Sequence, residues 1–563
     1  MKSLSTILAL ATLAVGLSGA ENKKPNVLLI CVDDLKPVLG CYGDSLVKSP
    51  NIDRLAQRGV LFDKAYCNQA VCAPSRNALM TGKRPTTLGI YDLGTFFRKA
   101  APDAVTLSQY FMQHGWRAEA LGKIFHVGHG NHNDAESWSV PHWSPKGGGY
   151  ALESSQAKRE LVGDTMRGPS VECADVPDNR YGDGMIADEA VTRLRAAREK
   201  PDEPFFLAVG FLKPHLPFVA PKKYWDLYER SSFKPHPRQT PPEGAPVFAP
   251  TTWGELRNYT DISNTGPLTD AQQCELIHGY YAAVSYMDAQ LGRVLDELDR
   301  LGLSKSTIIA FWGDHGWHLG DHGMWCKHTN YEQAGRIPLI VSAPSIGKAD
   351  AKTGALAETV DIYPTLCELA GLLAPKGLDG ASFVAALKNP AAAVTKEAVF
   401  HAYPRSPRGM GELIGRAVRT SRYRLVEWKV PGAAPDTAIL ELYDYADDPE
   451  ETKNLAESHS QVVAQLRAIL AKQLEAKPQL RLPPQGPAGA TKAKAGKSRQ
   501  DRGAMFDRRD QNGDGKLTHE EFLIGQPDPQ EAPKRFPRFD TNNDGMLTRE
   551  EFINAGNSSP AAP

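Results

Sequence analysis

The sequence predicts an α/β fold: a large, mostly parallel sheet with helices on both faces, then a smaller antiparallel sheet and a small helical domain. Three observations lead there. Buried-type apolar runs end in polar clusters, a long helical periodicity separates two of these runs, and the texture of the chain changes twice beyond residue 400.

Met1-Lys2-Ser3 precedes an apolar run from Ile7 to Leu17, and Ser18-Gly19-Ala20 precedes the polar Glu21 to Lys24. Residues 1–20 therefore read as a secretory signal peptide, which places the protein in the periplasm or outside the cell. No later apolar run is long enough to span a bilayer. Val27 to Val32 is the first continuous apolar run and ends in Asp33-Asp34. Phe205 to Phe211 ends in Lys213-Pro214-His215, and Thr307 to Trp312 ends in Gly313-Asp314-His315-Gly316. Such runs are strands covered on both faces. Between the last two, Leu276, Tyr280, Val284, Met287, Leu291, Val294 and Leu298 fall three or four apart, the stripe of an amphipathic helix. Sheets of this kind bind ligands beyond the carboxyl ends of their strands, so Asp33, Asp34, His215, Asp314 and His315 are expected on one edge.

The main α/β domain is expected over 21–400. From about 400 the segments shorten and alternate, with Tyr423 to Trp428, Glu441 to Asp444 and a helix from about Ser460 to Glu475, which predicts a smaller antiparallel subdomain over 401–475. Residues 476–500, rich in Pro, Gly, Ala, Lys and Gln, read as a flexible linker. Beyond it, over 501–557, one loop pattern occurs twice, as DQNGDGKLTHEE and DTNNDGMLTREE. Calcium needs oxygen ligands from a loop that turns sharply at its sixth residue and closes with a bidentate Glu. Asp510, Asn512, Asp514, Lys516 (through its carbonyl) and Glu521 supply that set, and Asp540, Asn542, Asp544, Met546 (through its carbonyl) and Glu551 supply it again. This is an EF-hand pair with room for up to two Ca2+ ions.

The 65 basic and 66 acidic side chains leave a formal net charge of -1, so no global field draws the chain to nucleic acid, and any anionic ligand needs a local cationic cluster. Eight cysteines without a CxxC pair are too sparse for a disulfide framework, although one or two bridges are compatible with export. Asp33, Asp34 and Asp314 together suit a hard divalent cation rather than structural zinc.

Cys72-Ala73-Pro74-Ser75-Arg76, followed by Leu79-Met80-Thr81-Gly82, resembles the signature of the type I sulfatases. The resemblance runs from about residue 25 to 475 through LGKIFHVG, FLKPHLPF, GDHGWHLGDHGMWCKHTNYE and RTSRYRLVEW, and within the family it is greatest to the iduronate-2-sulfatase group. It implies an alkaline-phosphatase-like fold and oxidation of Cys72 to formylglycine by a sulfatase-maturing enzyme. One hydroxyl of the hydrated aldehyde attacks sulfur, and the other expels sulfate as the aldehyde re-forms. The resemblance also implies one active-site Ca2+ held by Asp33, Asp34, residue 72, Asp314 and His315, the last at a position often occupied by Asn. Arg76 supports the aldehyde hydrate and the cation, Lys123 binds sulfate, His126 moves the hydroxyl proton, and His215 and Lys327 serve sulfate and the leaving group. The implied substrate is a 2-sulfated uronate or another sulfated unit of a polysaccharide. His129 and His132 read as loop histidines. Two other readings fit parts of the chain: a phosphatase or phosphodiesterase of the same superfamily, and an inactive protein that anchors to glycans through its calcium loops.

Overall fold

The computed structural model describes residues 23–162, 165–344, 346, 349–391, 396–481, 505–507, 509–523, 532–540 and 542–554. The signal peptide assigned to residues 1–20 lies outside them. The chain divides into two compact units, one ending at Leu480 and the other beginning at Arg481.

In the first unit, β1 (Asn26–Val32), β2 (Val60–Tyr66), β3 (Arg117–Gly122), β4 (Phe205–Phe211), β5 (Thr307–Gly313), β6 (Leu339–Ser342) and β7 (Ala351–Glu358) form one sheet, joined by the short Arg336–Ile337 segment. Its order is β7-β2-β6-β5-β1-β4-β3. β1 runs parallel to β4 and β5, and β4 to β3, while β6 is antiparallel to both β5 and β2. The sheet is therefore mixed and mostly parallel.

Side chains alternate across it with a period of two. Val27, Leu29, Cys31, Ile308, Ala310 and Trp312 enter the core on one face. Leu28, Ile30, Val32, Ile309 and Phe311 enter the core on the other. Both faces are covered, which explains why the strands read as unbroken apolar runs. The second face packs the long helix Asp270–Arg300 through Tyr280, Val284, Met287 and Leu291. Its start is fixed by a capping box in which the Thr269 hydroxyl accepts from the Gln272 N–H and the Gln272 side chain accepts from Thr269, an arrangement that stabilises by about 1 kcal/mol.

β8 (Val399–Arg405), β9 (Leu413–Arg419), β10 (Tyr423–Lys429) and β11 (Ile439–Asp444) form the smaller antiparallel sheet in sequence order. One face packs the helix Ser460–Leu470 through Val463, Leu466 and Leu470, and the other meets Met324 and Tyr331 of the main body. Three expected boundaries shift. The division at 400/401 cuts β8, because pairing with β9 begins at Val399. The helix expected to reach Glu475 ends at Leu470, and Glu475 instead takes ion pairs from Lys429 and Arg416. Ala476 to Leu480 are not yet linker: Ala476 is buried, and the Lys477 and Leu480 N–H groups donate to the Thr86 and Gly89 carbonyls. Residues 482–500 lie outside the described set.

Glu332 joins the small sheet to the main body. It accepts from Arg424 at 2.7 Å, Arg419 at 3.1 Å and the Tyr66 hydroxyl at 2.9 Å. Burial pushes its carboxyl up, but Arg419 and Arg424 outweigh this and lower it to about 2. A depressed carboxyl contributes stability that is complete above its unfolded value near 4.5 and is lost as pH falls through about 2. Glu332→Gln is expected to cost about 3 kcal/mol at neutral pH, and the difference from the parent is expected to shrink across that acid window in urea unfolding curves. A constant difference down to pH 2 would show that the ion pairs contribute nothing.

In the second unit, the two-residue strands Lys516–Leu517 and Leu547–Thr548 pair antiparallel and couple the loops, over a core of Phe506, Leu517, Phe522, Phe536, Leu547 and Phe552. The sixth loop residues, Gly515 and Gly545, adopt φ of 80° and 81°, the left-handed turn that the ligand geometry requires. Glu521→Gln with Glu551→Gln is expected to weaken calcium binding at least tenfold in titration calorimetry of the full chain; unchanged binding would remove these loops as the calcium sites.

Candidate active site

The carboxyl ends of β1, β3, β4 and β5 meet the amino end of the helix Cys72–Thr81, in which every residue is buried. Cys72 occupies the first helical turn, where unpaired N–H groups and the helix dipole favour negative charge. Its Sγ lies 3.3 Å from His315 Nε2 and 4.0 Å from Asp34 Oδ1. Burial and Asp33 push the thiol up, yet Lys123, Lys327 and His315 prevail and hold it well below its ordinary value.

Arg76, one helical turn further on, is fully buried and donates from Nη2 to Asp33 at 3.0 Å and from Nε to Asp314 at 2.9 Å. Its Nη1 donates to the carbonyls of Lys123 and Ile124. The Lys123 carbonyl is reachable because Gly210 of β4 has no side chain; a Cβ there would collide with it. Asp34 lies in the left-handed region at φ 60°, held by its N–H donating to Asp314 at 3.0 Å and its carbonyl accepting from the Tyr280 hydroxyl at 2.7 Å. Tyr280 belongs to the apolar stripe of the long helix, so a packing residue also fixes the site.

Among the described residues, Asp33, Cys72, Asp314 and His315 bring donor atoms within 4.8 Å of one another. Burial raises the Asp34 carboxyl and pushes Asp314 up to about 7, against the neighbouring cations. Three buried carboxylates on one edge offer oxygen donors of the kind a hard divalent cation takes.

The remaining predicted residues gather around a cavity of about 410 Å3 that opens onto Cys72. Lys123 pairs with Asp33, and Lys327 donates to both oxygens of Asp34 at 3.2 and 2.9 Å. Burial works against charge on His215, but Asp34 lifts it to about 10. His126 lines the cavity, and its Nε2 lies 3.2 Å from His129 Nδ1. His129 is thus more than a loop residue by position, whereas His132 packs against Phe96 with tilted rings, centroids 4.0 Å apart.

Glu255 was not anticipated. It stands 3.0 Å from His215 Nε2 and 2.5 Å from Lys327 Nζ, and it lines the same cavity. No local pattern marks it, since it follows a Pro- and Thr-rich segment rather than a strand. All eight cysteines are free thiols, so the optional disulfides are not formed in this structure.

A family model described as Sulfatase matches residues 25–372. The chain belongs to the sulfatase family. A second model, N-sulphoglucosamine sulphohydrolase, C-terminal, matches 320–479 of this sulfatase, and EF hand matches 503–523 and 534–554. Human iduronate 2-sulfatase is 34% identical over 536 residues, covering 80% of this chain and 95% of that protein. An ulvan-active sulfatase of Formosa agariphila is 29% identical over 442 residues, covering 77% and 78%. Among solved structures, one in complex with its substrate D-glucosamine-2-N, 6-O-disulfate superposes with a TM-score of 0.63 at 22% identity, covering 80% of this chain and 97% of that one. The phosphonate monoester hydrolase of Agrobacterium radiobacter superposes at 0.62 and 23% identity, covering 80% and 96%. The fold is therefore the alkaline-phosphatase-like sulfatase fold, and the protein is a sulfuric ester hydrolase. Among the described residues, no helix is long and apolar enough to cross a membrane.

Proposed function

We propose that this sulfatase is exported and hydrolyses the sulfate ester of a 2-sulfated uronate in a sulfated polysaccharide, using formylglycine made from Cys72 by a maturing enzyme. The observation that carries this reading is the Cys72 thiol itself, set on a helix terminus between buried carboxylates and a cationic cavity. The uronate assignment rests on the extent of the match to iduronate 2-sulfatase. In the mature enzyme, Sγ marks the place of a hydroxyl oxygen on the aldehyde hydrate. Formylglycine supplies two geminal hydroxyls, one to attack sulfur and one whose deprotonation expels sulfate.

The protein's residues do the rest. Asp33, Asp34, residue 72, Asp314 and His315 would hold one Ca2+, whose charge favours the ionised hydroxyl. Lys123 and Lys327 line the cavity and would bind the sulfate oxygens, and Arg76 holds Asp33 and Asp314 in place. His126, whose Nδ1 is buried without a hydrogen-bond partner among the described residues, is placed to take or return the hydroxyl proton, and its pKa is lowered by burial. His215, whose Nε2 lies 3.0 Å from Glu255, is placed to give a proton to the leaving sugar oxygen. The EF-hand pair would bind up to two further Ca2+ ions outside this chemistry.

Enzyme coexpressed with a maturing enzyme is expected to release sulfate fastest from 2-sulfated uronate disaccharides, slower from 6-sulfated hexosamine units and negligibly from phosphate monoesters. Preference for the hexosamine would overturn the substrate assignment; preference for the phosphate ester would overturn the chemistry.

A further inference from the structure

Beside the site just described, a second donor cluster uses different residues. Cys326 Sγ lies 3.1 Å from His328 Nδ1 and 3.7 Å from Glu255 Oε2, and the three donors fall within 4.8 Å of one another. One thiol, one imidazole and one carboxylate form a mixed ligand set, unlike the oxygen-rich set around Asp33.

We propose that Glu255, Cys326 and His328 bind a borderline-soft divalent metal such as zinc in the wall of the catalytic cavity.

The spacing fits. Zn–S near ~2.3 Å and Zn–N or Zn–O near ~2.0 Å at tetrahedral angles place neighbouring donors roughly 3.5 Å apart, between the two observed separations. Glu255 and His328 line the cavity, so an ion reaches them from solvent, while Cys326 closes the site from the buried side. A carboxylate has about four lone-pair positions, so Glu255 can take a metal while facing His215 and Lys327. Three protein ligands leave the fourth position open to water. Binding converts the Cys326 thiol to a metal thiolate: the S–H bond breaks, the S–metal bond forms, and the proton leaves to solvent. The metal stays divalent throughout. Lys327 stands between the two sites, with Nζ 2.9 Å from Asp34 and 2.5 Å from Glu255, so occupancy of the second bears on the first.

The test uses the full chain in excess calcium, with Cys72→Ser as background so that the other cavity thiol cannot report. Cobalt(II) is titrated in as the probe. A thiolate-to-cobalt charge-transfer band in the near ultraviolet, saturating at one ion per chain, is expected. Cys326→Ser, close in volume to the buried thiol, should abolish the band, and His328→Ala should weaken cobalt affinity tenfold or more, both with the background's melting temperature in metal-free buffer. No band, a band that survives Cys326→Ser, or unchanged affinity in His328→Ala would overturn the site. In matured enzyme, with formylglycine at position 72, zinc is expected to slow sulfate release, with Cys326→Ser raising the half-inhibitory concentration about tenfold; equal inhibition of both would sever the site from the cavity. The binding arm needs no substrate, so it stands or falls apart from the uronate assignment.

Discussion

Cys72→Ser is expected to leave the fold intact and to lower sulfate release by a factor on the order of 10⁴ or more. Cys72 is 2% exposed, and serine is close to it in volume, so the protein cost is confined to a slightly more polar side chain beside His315, under about 2 kcal/mol. The chemical cost is larger. A serine hydroxyl has one oxygen, so after attack on sulfur no second hydroxyl is available to expel sulfate by re-forming a carbonyl. The enzyme would stall after one turnover or not begin. Mass spectrometry of the peptide Asn68 to Arg76 checks the premise, because active parent protein should carry formylglycine at position 72. Parent-like turnover by Cys72→Ser would support phosphoester-type chemistry instead.

Arg76→Met is expected to destabilise the main unit by about 3–5 kcal/mol, because it removes the only guanidinium bridging Asp33 and Asp314 among the described residues. All three groups are at most 1% exposed, so water cannot replace the lost hydrogen bonds. Two carboxylates would face each other without a shared cation, and the Lys123 and Ile124 carbonyls would lose a donor. Arg76→Lys should not rescue it, since an ammonium is a point charge and cannot present the planar fork that spans both carboxylates. The measurement is the first transition of a guanidinium chloride titration at saturating calcium, with a bound ion expected to recover part of the loss. An unfolding free energy within about 1 kcal/mol of the parent's for either variant would mean that the carboxylates are held by other means.

Much of the fold was legible because the strongest signals are local. Val27 to Val32 and Thr307 to Trp312 read as strands since both faces of the sheet are covered, and the long helix read from a stripe with a period near 3.6. Asp33, His215 and Asp314 could be placed on one edge because parallel strands bring their carboxyl ends together. Boundaries were less legible. Glu475 ends in ion pairs rather than in helix, and Ala476 to Leu480 hold to the body through hydrogen bonds that their Pro- and Ala-rich composition does not announce.

By itself the sequence determined the residue types on which the proposed chemistry rests and the small domain's motif: the Cys-x-Pro-x-Arg run, the acidic strand ends and the twelve-residue EF-hand loops. Their signals lie within a few neighbouring positions, where backbone geometry is set by local sterics and hydrogen bonding. Only the tertiary structure decided that Arg76 bridges Asp33 and Asp314, that Tyr280 holds Asp34, and that Glu255 faces His215 and Lys327. Those pairs are separated by tens to hundreds of residues, and what selects them is the cost of leaving a buried charge or polar group without a partner. That cost depends on where the folded chain excludes water, which no short stretch of sequence specifies.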